Sequence, residues 1–147
     1  MITYHFKTFD ELTTYELYKI LQLRMQVFVV EQNAAYQDCD NKDLKSLHVF
    51  GSIDNEIVCY ARGIPAHLSY EEPCLSRVVT SPKHRGNSYG AHIVYLTLEA
   101  MKTHFKTSTC RISAQLYLQK FYEGFGFQRV SEVYLEDNIP HVEMLRN

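Results

Sequence analysis

The order of apolar and polar positions divides the chain into alternating strands and helices joined by short turns. Ile2 to Phe6 reads as a short first strand. Thr13 and Glu16 form the T-x-x-E box that opens a helix. Leu17, Tyr18, Leu21, Met25 and Phe28 then recur at helical spacing, carrying that helix to about Val29. Residues 31–46 hold Asn, Asp and Lys and read as a loop. Leu47 to Ile53 and Ile57 to Ile64 form a hairpin around Asp54-Asn55. After a turn from Pro65 to Pro73, Cys74 to Ser81 is the next strand, stopped by Pro82. A second helix begins near Ser88, with an apolar stripe of Ala91, Val94, Leu98, Met101 and Phe105. Thr109 to Ala114 is a strand, and Gln115 to Phe125 a short helix ended by Gly126. Gln128 to Leu135 and His141 to Leu145 are two last strands joined across Asp137-Asn138. This order predicts an α/β (α+β) fold: a mixed, mostly antiparallel sheet of about seven strands with helices on both faces.

Composition narrows the class. The 147 residues fit one domain, 1–147, and 46% apolar against 22% charged residues allow a packed core. A net charge of -2 without a run of Lys and Arg argues against a nucleic-acid partner or an acidic membrane. No apolar run spans a bilayer, and Met1 to Asp10 has no signal-like core, so the expected location is the cytoplasm. Cys39, Cys59, Cys74 and Cys110 form no CxxC pair, and the last three read as buried free thiols suited to a reducing compartment. The seven His show no H-x-x-H or H-x-x-x-H pair, so no metal is expected.

The most informative stretch runs from Val78 to Ala91. An apolar strand enters a tight basic turn, Lys83-His84-Arg85-Gly86-Asn87, which opens straight into the amphipathic helix. That layout gathers free N–H groups and a positive helix end at one point, where phosphate oxygens bind. Gly86 lets the turn bend, and Gly90 lets a ligand approach the backbone. The alternative is a plain strand-to-helix turn. The spacing is neither that of a P-loop nor G-x-G-x-x-G.

The segment resembles motif A of the GNAT superfamily of N-acetyltransferases, R/Q-x-x-G-x-G/A, with Arg85 first and Gly90 last; Ser88 stands where that family usually has Gly. Ser113-Ala114-Gln115 with Lys120-Phe121-Tyr122-Glu123-Gly124-Phe125-Gly126-Phe127 is similar to motif B. Leu23-Arg24, Val27 to Gln32, Tyr36-Gln37-Asp38 and Glu136 to His141 further resemble the ElaA-like branch, although Ala34-Ala35 replaces its usual Cys-Pro. The resemblance implies a sheet splayed between strands 4 and 5. It also implies acetyl-CoA as co-substrate. The pantetheine arm would lie along Val78, Val79 and Thr80, and the pyrophosphate on Arg85, Gly86, Asn87, Ser88, Tyr89 and Gly90, with Gln115 nearby. Tyr122 would be the general acid, the alternative being a plain place in the apolar stripe.

The expected reaction is direct attack of a primary amine of a small molecule on the thioester. The alternatives are a non-catalytic acyl-CoA-binding module and a protein or peptide N-acetyltransferase. Strand 74–81 carries no carboxylate, so the base is open among Glu31, His48, Glu136, His141 and Glu143, or ordered water. Arg77 either holds a substrate carboxylate or pairs with an internal acid. Glu31, Asp38, Asp40 and Asp43, against one Lys, suggest an acidic rim that draws in a cationic amine, or else a solvated loop. A homodimer is plausible by analogy with relatives.

Overall fold

Two tight turns set the pairing at either end of the sheet. Asp54 and Asn55 (φ 49° and 66°) close β2 (Leu47–Ile53) onto β3 (Glu56–Ile64). Asp137 and Asn138 (φ 50° and 65°) close β7 (Tyr134–Glu136) onto β8 (Ile139–Arg146). Both pairs take the left-handed conformation that two-residue hairpins need and that Asn and Asp tolerate. The computed structural model describes all residues, 1–147.

β1 (Thr3–Thr8), β4 (Cys74–Thr80), β5 (Cys110–Gln115) and β6 (Gln128–Arg129) complete one eight-stranded sheet, ordered β1-β2-β3-β4-β5-β8-β6, with β7 paired to β8. All pairings are antiparallel except β4 with β5. The sequence reading of about seven strands falls short by one because 128–135 is not continuous. The Ser131 hydroxyl, rather than a backbone carbonyl, takes the Glu143 N–H at 2.8 Å, and the ladder breaks there.

α1 (Thr14–Arg24) begins at the expected box, with Glu16 N–H on Thr13 Oγ1 at 3.0 Å and Thr13 N–H on Glu16 Oε1 at 2.9 Å. It continues as wider π-type turns from Met25 to Glu31. Ile20, Leu23 and Val27 pack on Phe50, Ile57, Tyr60 and Val79 on one face of the sheet. α2 (Tyr89–Phe105) buries Ile93, Val94, Leu98 and Met101 on the other face, against Val49, Ala61, Leu75 and Ile112. Burying each such side chain stabilises by roughly 1.5–3 kcal/mol. The expected helix 115–125 is shorter: β5 keeps Gln115, a 3-10 turn covers Leu116–Leu118, and α3 spans Gln119–Glu123. Cys59, Cys74 and Cys110 are buried free thiols and Cys39 is exposed. No helix is long and apolar enough to cross a membrane.

Candidate active site

The sheet opens between β4 and β5. These strands share a single pair, Cys74 with Arg111, and then diverge. On its other side β4 carries a bulge: Tyr60 pairs Val79 and Arg62 pairs Ser76, so Arg77 and Val78 together oppose Ala61. Arg77 takes φ 56° there. An extra residue of this kind bends the strand and frees a backbone group from the ladder. The result is a cleft of about 810 Å³ lined by Val78, Val79, Thr80, Ala114, Gln115 and Tyr122, among others. A second hollow, of about 960 Å³, is shallow and faces solvent between α2 and β1–β2.

The turn from β4 to α2 closes one end of the cleft. Gly86 (φ 88°) and Ser88 (φ 63°, ψ 17°) both hold left-handed backbone. The Asn87 side chain donates to the His84 carbonyl at 3.0 Å. The first bond of α2 runs from His92 N–H to Ser88 C=O, and the N–H groups of residues 85–91 have no acceptor in the protein. A Cβ built on Gly90 would meet only Thr80 Oγ1, at 3.6 Å. The bare backbone at 90 therefore answers no packing need of the fold, whereas a ligand lying on it would need that space. Free N–H groups at a helix start beside an arginine fit a diphosphate. Val78, Val79, Thr80, Arg85, Gly90 and Gln115 line the cleft, and Gly86 to Tyr89 form the turn between the two motif ends.

Arg85 and Glu31, expected as phosphate ligand and candidate base, are bound to each other. The guanidinium donates through Nη2 to Oε1 at 2.7 Å and through Nη1 to Oε2 at 3.2 Å. Tyr122 is buried beside Phe121 and Phe127, at 5.1 and 5.9 Å between ring centroids. Burial pushes its phenol above the ordinary range, so it keeps its proton throughout the physiological range.

The base candidates separate by geometry. His48 does not face the cleft: its ring contacts the Tyr60 hydroxyl at 2.7 Å through Nδ1 and donates to the Asp43 carbonyl at 2.9 Å through Nε2. Burial also lowers its pKa. It is a core residue. Glu143 is held by Arg111 at 3.0 Å and does not line the cleft. His141 and Glu136 do line it. His141 donates from Nδ1 to the Ile139 carbonyl at 2.6 Å, which leaves Nε2 as the bare nitrogen, 3.5 Å from Glu136 Oε2. Glu136 also accepts from Ser113 at 3.2 Å.

The acidic loop is not a free rim. Asp38 takes Arg24 Nε on Oδ2 and Arg77 Nε on Oδ1, both at 2.8 Å. Asp43 Oδ1 takes Arg24 at 2.7 Å and Arg62 at 2.9 Å. Asp40 takes Arg62 at 2.8 and 3.0 Å and Arg77 at 3.4 Å. Three arginines and three aspartates thus neutralise one another, and the reading of these carboxylates as bait for a cation is corrected. Arg77 is paired internally, as one of its two readings had it. The lattice ties α1, β3 and the β4 bulge to the loop. Burial acts to raise the Asp40 pKa, but hydrogen bonds and the charge of Arg62, with Arg77 behind it, hold it down to about 2. Arg24 was named in the sequence only for its resemblance to the family, and Arg62 not at all, although each follows an apolar run where a buried cation demands a partner.

The chain matches the model of the acetyltransferase (GNAT) domain over residues 12–146. It is 42% identical over 139 residues to the protein ElaA of Escherichia coli, covering 93% of this chain and 91% of that one. The crystal structure of Escherichia coli ElaA superposes with a TM-score of 0.91 at 41% identity, covering 99% of each chain. That of an acyl-CoA N-acyltransferase from Pseudomonas aeruginosa gives 0.95 at 36% identity over 100% of both. An aminoglycoside 6'-N-acetyltransferase complexed with coenzyme A shares the fold, at a TM-score of 0.68 and 16% identity over 97% of this chain and 96% of that one.

Proposed function

The chain belongs to the GNAT acetyltransferase family and is an acetyl-CoA-dependent acyltransferase; from that premise we propose that it acetylates the primary amine of a small molecule by direct attack. The observation that carries this reading is the cleft itself. Unpaired donors at residues 85–91 close one end, and Tyr122 and His141 face the gap between β4 and β5 from elsewhere. Its volume, about 810 Å³, is that of a small-ligand site.

In this reading the N–H groups of residues 85–91 and Arg85 hold the diphosphate, with Arg85 exchanging its Glu31 partner for it. Acetyl-CoA supplies the activated acyl group. His141 Nε2 takes the amine proton, and Glu136 at 3.5 Å stabilises the imidazolium and passes the proton toward solvent. A backbone N–H of the bulge near Val78 stabilises the oxyanion, a contribution of about 3–4 kcal/mol for one well-placed donor. Tyr122 protonates the leaving thiolate. Its raised pKa makes it a weak acid. A thiolate in the same dry pocket is a correspondingly stronger base, so the transfer stays feasible. The buried free thiols agree with a reducing compartment.

The test is thiol release from acetyl-CoA with a panel of small amines. Tyr122→Phe should cut kcat by about 10²–10³-fold with acetyl-CoA affinity unchanged. Unaltered turnover would remove Tyr122 from the chemistry. Binding without release across the panel would favour a non-catalytic module, and release with peptides alone would favour a protein acetyltransferase.

A further inference from the structure

The charged groups on the cleft walls divide into those with partners and those without. Arg62 is held by Asp40 and Asp43, Arg77 by Asp38 and Asp40, and Arg85 by Glu31. Three charged residues remain. Lys42 lines the cleft and its ammonium makes no ion pair. Glu136 has His141 as its one charged neighbour and the Ser113 hydroxyl as a donor, and Asp137 has no ion-pair partner.

These leftovers lie on different walls. Lys42 opens the 3-10 turn Lys42–Lys45, and its backbone N–H donates to Asp40 Oδ1 at 3.1 Å. Arg77 reaches the other oxygen of the same carboxylate at 3.4 Å. The Lys42 backbone and the Arg77 guanidinium therefore meet at Asp40. Arg77 spends Nε and Nη2 on Asp38 and Asp40, which leaves Nη1 unbonded on a side chain that is 21% exposed. Glu136 and Asp137 belong to the β7–β8 turn, which carries the other wall together with His141.

We propose that Lys42, with the free Nη1 of Arg77, is an anion subsite, and that the acceptor is therefore a primary amine bearing a carboxylate, an amino-acid-like zwitterion. Its ammonium approaches Glu136 and Asp137 and loses a proton to His141, while its carboxylate rests on Lys42 and Arg77. A carboxylate against two half-buried cations gains charge-assisted hydrogen bonds that a plain alkylamine cannot make. The opposite wall disfavours the reverse orientation by like-charge repulsion. This inference rests on the amine-acetylation reading above and narrows its substrate class.

The experiment compares matched pairs in the thiol-release assay: α-amino acids with their decarboxylated amines, and ω-amino acids with alkylamines of equal length. The wild-type protein should favour the carboxylate-bearing member, chiefly through a lower KM. Lys42→Ala should cut that preference about tenfold. Lys42→Glu should invert it, and Lys42→Arg should retain most of it. Because the readout is a ratio within each pair, a general loss of folded protein does not move it. Preference for the plain amines, or an equal effect of Lys42→Ala on both members, would overturn the subsite while leaving the amine-acetylation reading intact. Acetyl-CoA binding, seen by calorimetry, with no thiol released from either member of any pair would sink both.

Discussion

Replacing Ser88 by glycine measures how far the turn before α2 is held against backbone preference. Ser88 sits at φ 63° and ψ 17°, and its hydroxyl makes no capping hydrogen bond to α2. Left-handed backbone costs a non-glycine residue about 1–2 kcal/mol. Glycine removes that cost but gains freedom in the unfolded chain, which costs about 0.4–1 kcal/mol. No side-chain bond is lost, so the net gain is about 0.5–1 kcal/mol. For a chain of this length each kcal/mol moves Tm by about 2–4 °C. Ser88→Gly should therefore raise Tm by roughly 1–4 °C in thermal unfolding. Ser88→Ala keeps the same φ demand and should change little, while Ser88→Val should lower Tm because a β-branched residue fits this region poorly. Acetyl-CoA affinity should stay within about threefold for glycine, since the N–H at 88 is retained. A lower Tm for Ser88→Gly, or equal gains for Ala and Gly, would refute the strain argument. A tenfold loss of affinity would mean that the hydroxyl itself contacts the ligand.

Gly90→Val should fold normally, since its Cβ meets only Thr80 Oγ1 at 3.6 Å, yet weaken acetyl-CoA binding at least about tenfold by calorimetry; full affinity would misplace the diphosphate. Asp38→Asn leaves Arg24 and Arg77 each short of a buried counter-charge, and should cost about 3–5 kcal/mol, a Tm loss on the order of 10 °C. A change below about 1 kcal/mol in urea unfolding would show the lattice to be incidental. The folded Asp40 pKa, about 2, lies below the unfolded value near 3.8. The corresponding stability, about 2 kcal/mol, is thus fully present above about pH 5 and drains away as pH falls toward 2. Asp43 is shifted in the same direction by Arg24 and Arg62, against the effect of burial. Stability that held level from pH 5 to 2 would contradict that assignment.

The parts of the fold governed by local chemistry were readable in advance. The Thr13–Glu16 box, both Asp-Asn turns and the stripe on α2 each rest on residues near one another in the chain. The motif segments that carry Gly90 and Tyr122 are equally local, and both residues line the cleft. What escaped were contacts made across the sheet. Whether Asp38, Asp40 and Asp43 face water or bury against arginines 14 to 39 positions away depends on which strands lie beneath the loop. The Glu31–Arg85 bond spans 54 positions, and His48 gave no local sign of facing the core rather than the cleft. The break near Ser131 depends on one hydroxyl meeting the Glu143 N–H, which no periodicity records. The bond to the Ile139 carbonyl, which sets the His141 tautomer, left no sign in the sequence either.

The arginine–aspartate lattice also bears on how sequences of this kind can vary. Arg24, Asp38, Asp40, Asp43, Arg62 and Arg77 share oxygens, so altering one strands a charge on the others. Substitutions at these positions are then strongly non-additive: a change ruinous alone becomes tolerable once its counterpart has gone too. The set can drift only as a block, and a descendant that swapped it wholesale for packed aliphatic residues would keep its fold while freeing the loop at residues 31–46 to evolve a different shape.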